Sequence, residues 1–161
     1  MENELKKAID LRKNGSYLES NELLLKLVEQ FPHHASLNYQ CAWSFDLLGE
    51  EAKAVPFYEN AIKIGLPQTE LEGAYVGLGS TYRTLGEYEK SKITFLKGLE
   101  SFPSNRALQT FYAMTLYNLN DHSKAMELLL NCLIETTNDE KIKSYKKAIE
   151  FYSDKLDEVW K

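Results

Sequence analysis

The stretch YVGLGSTYRTLGEYEKSKITFLKGLESFP, residues 75–103, decides the fold of this 161-residue chain. Tyr75, Leu78 and Tyr82 step by three and four before Gly86, and Tyr88, Ser91 and Phe95 do the same after it. That is the spacing of a helix face, so the stretch reads as two helices joined at a glycine. Gly86 has counterparts at Gly15, Gly49 and Asn120, and the successive gaps are 34, 37 and 34 residues. A period of this length belongs to a helix–turn–helix unit that cannot bury its apolar face alone and must stack on copies of itself.

The repeat extends well beyond the turn. Five residues after it stand Ser20, Ala54, Ser91 and Ala125, and seven before it Ala8, Ala42, Gly79 and Ala113, all small. Nine residues after it stand Leu24, Tyr58, Phe95 and Leu129, all large and apolar. Small side chains let two helices approach, and large ones fill the gap left between them. Pro32 and Pro103 close two units, with Pro67 one place late in another.

On Tyr75, Leu78, Gly79, Tyr82, Tyr88, Ser91, Phe95 and Pro103 the register resembles the tetratricopeptide repeat, with the first and fourth units looser than the third. The stretch from Cys41 to Phe111 (CAWSFDLLGEEAKAVPFYENAIKIGLP, then LGSTYRTLGEYEKS) is also similar to a small bacterial subgroup, tetratricopeptide repeat group 5, with no assigned chemistry. The resemblance implies an all-α fold, an α-α superhelix of four helical hairpins plus a C-terminal capping helix. One domain over 1–161 is expected, with repeats at about 1–34, 35–68, 69–105 and 106–138 and the cap at 139–160.

Spacing predicts helices at about 3–14, 17–30, 35–48, 51–64, 70–85, 88–101, 105–119 and 122–135. Ser16-x-x-Glu19 and Thr69-x-x-Glu72 read as capping boxes, and Thr137-x-x-Glu140 opens the last helix. Thr69 accounts for the long gap by starting its helix a turn early. Asp121 caps another helix, and Asn120 takes a turn position that demands positive φ. Pro56 removes one backbone bond, to Ala52, inside its helix. In the cap, Ile142, Tyr145, Ile149, Tyr152, Leu156 and Val159 form one narrow stripe. Its task is to cover the open end of the stack. Leu156, Val159 and Trp160 either overhang, with Phe151 off the stripe, so that the end offers an oligomer contact (Phe151, Leu156, Trp160) to a second copy or folds back over the groove, or they belong to a frayed tail.

Hydrophobic residues at 43% and charged residues at 27% are those of a folded globular protein. The net charge of −5, without a basic cluster, argues against nucleic acid or an anionic membrane as partner. The first residues, MENELKKAIDLRKNG, read as helix and not as a signal peptide, and no apolar run reaches membrane length. The expected location is the cytoplasm. Cys41 and Cys132 fall on core-facing positions of separate units and read as reduced packing residues.

In arrays that this chain resembles, the first helix of each unit lines the concave face. Residues three and four apart then place Leu5, Ile9 and Arg12 of the first unit on that floor. The expected protein- or peptide-binding groove continues through Tyr39, Trp43 and Asp46, then Val76, Ser80 and Arg83, then Thr110, Met114 and Tyr117. Asp46 and Arg83 hold equivalent places on adjacent units, so they either pair across the groove or leave Arg83 to meet a ligand carboxylate. Trp43 reads either as an anchor for a partner or as a residue buried under a neighbouring helix. Some tetratricopeptide domains clamp chaperone C-termini, but the matching positions here hold Leu5, Ile9, Gln40, Gly73 and Gly77, which cannot grip a carboxylate.

No chemistry-bearing motif converges. Gly77-x-Gly79 lies within a helix, with Tyr82 where a third glycine would be, and so marks close helix packing instead of a phosphate loop. His33, His34 and His122 lack metal-ligand spacing, and Ser80 has no His placed to activate it. No cofactor, metal or catalytic residue is expected, and an enzyme is disfavoured. The expected function is a protein-interaction module that takes a peptide or helix in its groove. The alternative is a homo-oligomer assembled through the C-terminal helix.

Overall fold

The computed structural model describes all residues, 1–161, as ten helices and no strand. Four hairpins lead: α1 (Glu2–Lys13) with α2 (Tyr17–Gln30), α3 (Ala35–Leu47) with α4 (Glu51–Ile64), α5 (Gln68–Thr84) with α6 (Tyr88–Ser101), and α7 (Arg106–Asn118) with α8 (His122–Thr136). Two short helices, α9 (Glu140–Ser144) and α10 (Lys146–Tyr152), end the chain. The first helix of each hairpin packs on both helices of the hairpin before it. First helices therefore touch in succession, α1 to α3 to α5 to α7. The fold is the all-α stack of four helical hairpins that the repeat implied.

All four turns close in the same way. Gly15, Gly49, Gly86 and Asn120 have φ of 85°, 71°, 76° and 62°. The next amide in each case donates back five residues: Ser16 to Leu11, Glu50 to Phe45, Glu87 to Tyr82 and Asp121 to Leu116, at 2.9–3.0 Å. That bond, with the one from the turn residue three back, satisfies the carbonyls orphaned at the helix end. A residue able to enter the left-handed region is required at this point, which is why glycine or asparagine recurs.

The small positions do what their size suggests. Ser20 Oγ donates to the Ala8 carbonyl and Ser91 Oγ to the Gly79 carbonyl, each at 2.7 Å, tying second helix to first within a hairpin. A Cβ on Gly79 would stand 2.6 Å from the Phe95 ring, so a side chain there would displace the phenyl group. Leu24, Tyr58 and Phe95 are fully buried. The 37-residue gap resolves as α5, which has 17 residues where α3 and α7 have 13 each. Cys41 and Cys132 are buried free thiols, and burial pushes that of Cys41 up to about 12.

Several local expectations are corrected. Ser16 occupies the N-cap of α2, but its side chain makes no capping bond. Thr69 lies inside α5, whose N-cap is Pro67. Asp139, not Thr137, caps α9, accepting from the Lys141 and Ile142 amides. Asp121 does cap α8, accepting from the Lys124 amide.

The largest correction concerns the expected cap over 139–160. It is not one helix: the chain breaks at Tyr145, and helix ends at Tyr152. α10 packs on α8, whereas neither α9 nor α10 makes an appreciable contact with α7. Lys146 Nζ reaches Glu135 at 3.3 Å and Ser123 Oγ donates to Asp157 at 2.7 Å, so the tail runs back antiparallel along α8. Only Leu130 of α8 joins the tail side chains Ile142, Tyr145, Ile149 and Tyr152 in lining their shared depression. An apolar stripe of helical period needs an apolar floor of equal length, and α8 alone supplies too little of one.

A candidate concave binding groove

The concave floor follows from the register: residues ten, six and three before each turn point inward from the first helices. Tyr39 is nearly buried among them, while Trp43 remains 40% exposed and thus at the surface. Five of the expected groove residues, Tyr39, Trp43, Asp46, Val76 and Ser80, line a single cleft of about 550 Å³ between the second and third hairpins. Arg83, Met114 and Tyr117 lie together in a separate depression of about 510 Å³ at the C-terminal edge. Thr110 lines neither of the two, and its hydroxyl donates to the Arg106 carbonyl.

A run of tilted aromatic rings crosses the cleft. Arg12 Cζ sits 3.9 Å from the centroid of the Trp43 ring, a cation–π contact between adjacent hairpins. Trp43 lies 6.1 Å from Tyr39, which lies 6.2 Å from Tyr58. Glycines make this possible, because a side chain at Gly73 would collide with the Tyr39 hydroxyl and one at Gly77 with that of Tyr58. Arg12 is legible in the sequence as a floor residue, but its contact with Trp43 is not, because the register assigns residues to a face without saying which of them meet.

The Asp46–Arg83 pair does not form. Asp46 accepts from the Tyr58 hydroxyl at 2.7 Å and the Thr81 hydroxyl at 2.9 Å. Its two oxygens are thereby engaged from the neighbouring second helix and the following first helix. Arg83 donates instead to Asn118 Oδ1 at 3.4 Å. Burial raises the Asp46 pKa and the two hydroxyl bonds oppose that rise. Burial likewise lifts Tyr58, helped by the carboxylate beside it. Arg12 is pulled below its usual value by burial, and its Nη1, like Nε of Arg83, is enclosed with no acceptor in the chain. The floor thus combines an accessible indole face with two guanidinium groups whose donors are not fully used.

The C-terminal candidates cluster with one another. Phe151 lies 5.1 Å from Tyr152 and 6.3 Å from Trp160, and Tyr152 lies 5.5 Å from Trp160. Lys155 Nζ stands 4.8 Å over the Phe151 ring, while Leu156 stays exposed. The end of the chain is therefore an aromatic knot folded beside α8, not an overhanging helix.

With this geometry in place, likeness to known proteins is informative. The tetratrico peptide repeat family model TPR_5 matches residues 33–156. The chain belongs to the tetratricopeptide repeat family. Superkiller protein 3 of Saccharomyces cerevisiae is 25% identical over 105 residues, which is 61% of this chain and 7% of that protein. This chain thus spans a small fraction of the curated relative it matches. Among solved structures, MamA from Desulfovibrio magneticus RS-1 superposes with a TM-score of 0.75 at 12% identity, covering 95% of this chain and 85% of that one. The Cut9–Hcn1 structure of the APC/C superposes with a TM-score of 0.75 at 17% identity, covering 91% of this chain and 29% of that one. At such identities the likeness is one of fold. Proteins of this repeat family are scaffolds that bind protein partners, and no helix here is long and apolar enough to cross a membrane.

Proposed function

We propose that this protein is a non-catalytic interaction module that takes a peptide or a short helix in its concave groove, with Trp43 as the anchor. The observation that carries the reading is the Trp43 indole, accessible at the mouth of the cleft and backed by the Arg12 guanidinium. A rigid aromatic ring that is already oriented costs little conformational entropy to bind, and such residues dominate interaction hot spots. Tyr39, Val76 and Ser80 continue the floor from Trp43, and Asp46 holds the wall between them. Arg83, Met114 and Tyr117 lie beyond this cleft in the depression at the C-terminal edge, and Thr110 keeps its hydroxyl on the Arg106 carbonyl.

Peptides selected from a random display library on the immobilised protein test this directly. Their affinity for Trp43→Ala should fall about thirtyfold or more, the loss of roughly 2 kcal/mol expected of a hot-spot tryptophan. Selected peptides that bind parent and Trp43→Ala equally would show that the groove is not the binding surface.

Self-association through the tail, around Phe151, Leu156 and Trp160, is the second reading. Its support is the exposure of those three residues beside α8. Because Phe151 and Trp160 already pack on each other, truncation before Phe151 is its test, and an unchanged oligomeric state would discard it.

A further inference from the structure

The fourth hairpin ends the stack without being covered. Nine residues after the turns, Leu24, Tyr58 and Phe95 are 0%, 2% and 0% exposed, each lying under the next first helix. Leu129 holds the same position in α8 and is 37% exposed. Met126 and Leu133 flank it on the same face of α8, three and four residues away, and both are exposed. Met114 and Tyr117 complete the face from α7, and the depression they share with Met126 and Leu129 contains no carboxylate. The tail leaves this face open, since it runs over the Leu130 side of α8.

We propose that this C-terminal end face is a homodimer interface, occupied by the same face of a second copy of the chain. The face continues an interface already formed three times inside the molecule, where a hairpin's apolar flank receives an apolar neighbour. The other end of the chain cannot be that neighbour. Positions twelve, nine and five before the turn are the ones a first helix presses onto the preceding hairpin. Leu108, Phe111 and Thr115 occupy them in α7, with Thr115 Oγ1 bonded to Ser91 Oγ at 2.8 Å. In α1 the same positions carry Asn3, Lys6 and Asp10, all exposed. Stacking α1 onto a partner's α8 would bury a lysine and an aspartate without partners, at a cost of several kcal/mol.

A face-to-face pairing avoids that cost. Two chains of net charge −5 repel over most of their surface, and here they would meet at a patch without acidic groups. Such a contact is isologous and closes at two chains.

Light scattering and sedimentation of the full chain over a wide concentration range test the proposal. The expected mass is that of two chains. Leu129→Lys should lower dimer affinity by about a hundredfold or more, because each copy would bury an ammonium group beside Arg83 and His122 in a patch that offers no carboxylate, while Trp43→Ala leaves the mass at two. Circular dichroism establishes that the variant keeps its helices. Should Leu129→Lys lose them, Tyr117→Lys, on a side chain 63% exposed, replaces it with the same expected result. A single-chain mass up to millimolar concentration, as would follow if the tail or a foreign helix were the occupant, overturns the proposal. So does a dimer that both variants leave intact, or growth into open-ended polymers.

Discussion

The two ends of the solenoid face the same physical problem and solve it differently. At the N-terminus, α1 turns Asn3, Lys6 and Asp10 outward at positions where inner helices bury Leu37, Ala74 and Leu108, or Ser44, Thr81 and Thr115. Charge there is solvated and costs nothing, so the first helix caps the stack by its own composition. At the C-terminus α8 keeps the interior pattern, with Leu129 where Phe95 stands one hairpin earlier. The tail then packs on another side of α8. One end presents a polar outer face, and the other an apolar one of the kind that receives a neighbour inside the stack.

The sharpest way to break this comparison is to delete equivalent side chains at an inner and a terminal position. Phe95→Ala should destabilise the chain by about 3–5 kcal/mol, since the ring is fully enclosed and the Gly79 backbone cannot collapse onto the space it leaves. Leu129→Ala should cost about 1 kcal/mol in urea unfolding of dilute protein, because part of the side chain is already in water. In concentrated protein the Leu129→Ala loss should grow, as association adds its own stabilisation to the parent. Equal losses at the two sites in dilute protein would mean that the C-terminal end is covered within the chain.

A smaller effect separates turn from packing. Gly86 has φ of +76° with no atom within 4 Å of a would-be Cβ, so Gly86→Ala tests backbone strain alone and should cost about 1 kcal/mol in the same unfolding assay. Asn120→Gly, at the matching turn of the last hairpin, should move stability the other way by about 0.5 kcal/mol or less. A loss at Gly86→Ala as large as that at Phe95→Ala would place the turn, not the packed ring, at the centre of the hairpin's stability.

The sequence spoke clearly wherever a rule was repeated. Four turns with the same offset to small and large residues could be compared with one another, and the hairpins obey that comparison except at Leu129, which has no next hairpin to cover it. The end of the chain is not repeated, and there periodicity misled. Ile142, Tyr145, Ile149 and Tyr152 step like one helix, yet the pattern records only which residues are apolar and not whether a floor exists to receive them. α8 offers Leu130 on that side, and the helix breaks at Tyr145. The groove shows the same limit at finer scale. Equivalence put Asp46 and Arg83 on neighbouring units, and both do line the first-helix side. It could not rank Arg83 against the hydroxyls of Tyr58 and Thr81, which reach the carboxylate from closer helices. The register likewise put Arg12 and Trp43 on the floor of adjacent hairpins without telling that these two meet.

The smallest expected effect lies between the two ends, at Asp46. Burial raises its folded pKa above the usual 3.8, with the Tyr58 and Thr81 bonds working against that rise and Glu51 adding to it. A carboxyl whose folded pKa is raised stabilises the fold while protonated, and that contribution is complete below the unfolded value. It is lost as the pH climbs through the folded value. The chain should therefore lose some stability between pH 3.8 and the raised pKa, against the trend of carboxylates held ionised. Asp46→Asn removes the titration and should flatten that segment of the urea-midpoint profile. Tyr58→Phe deletes a bond that favours the carboxylate, moves the folded pKa further up and should widen the segment. Profiles for Asp46→Asn and the parent that ran parallel would show that burial of Asp46 is not what couples the groove wall to pH.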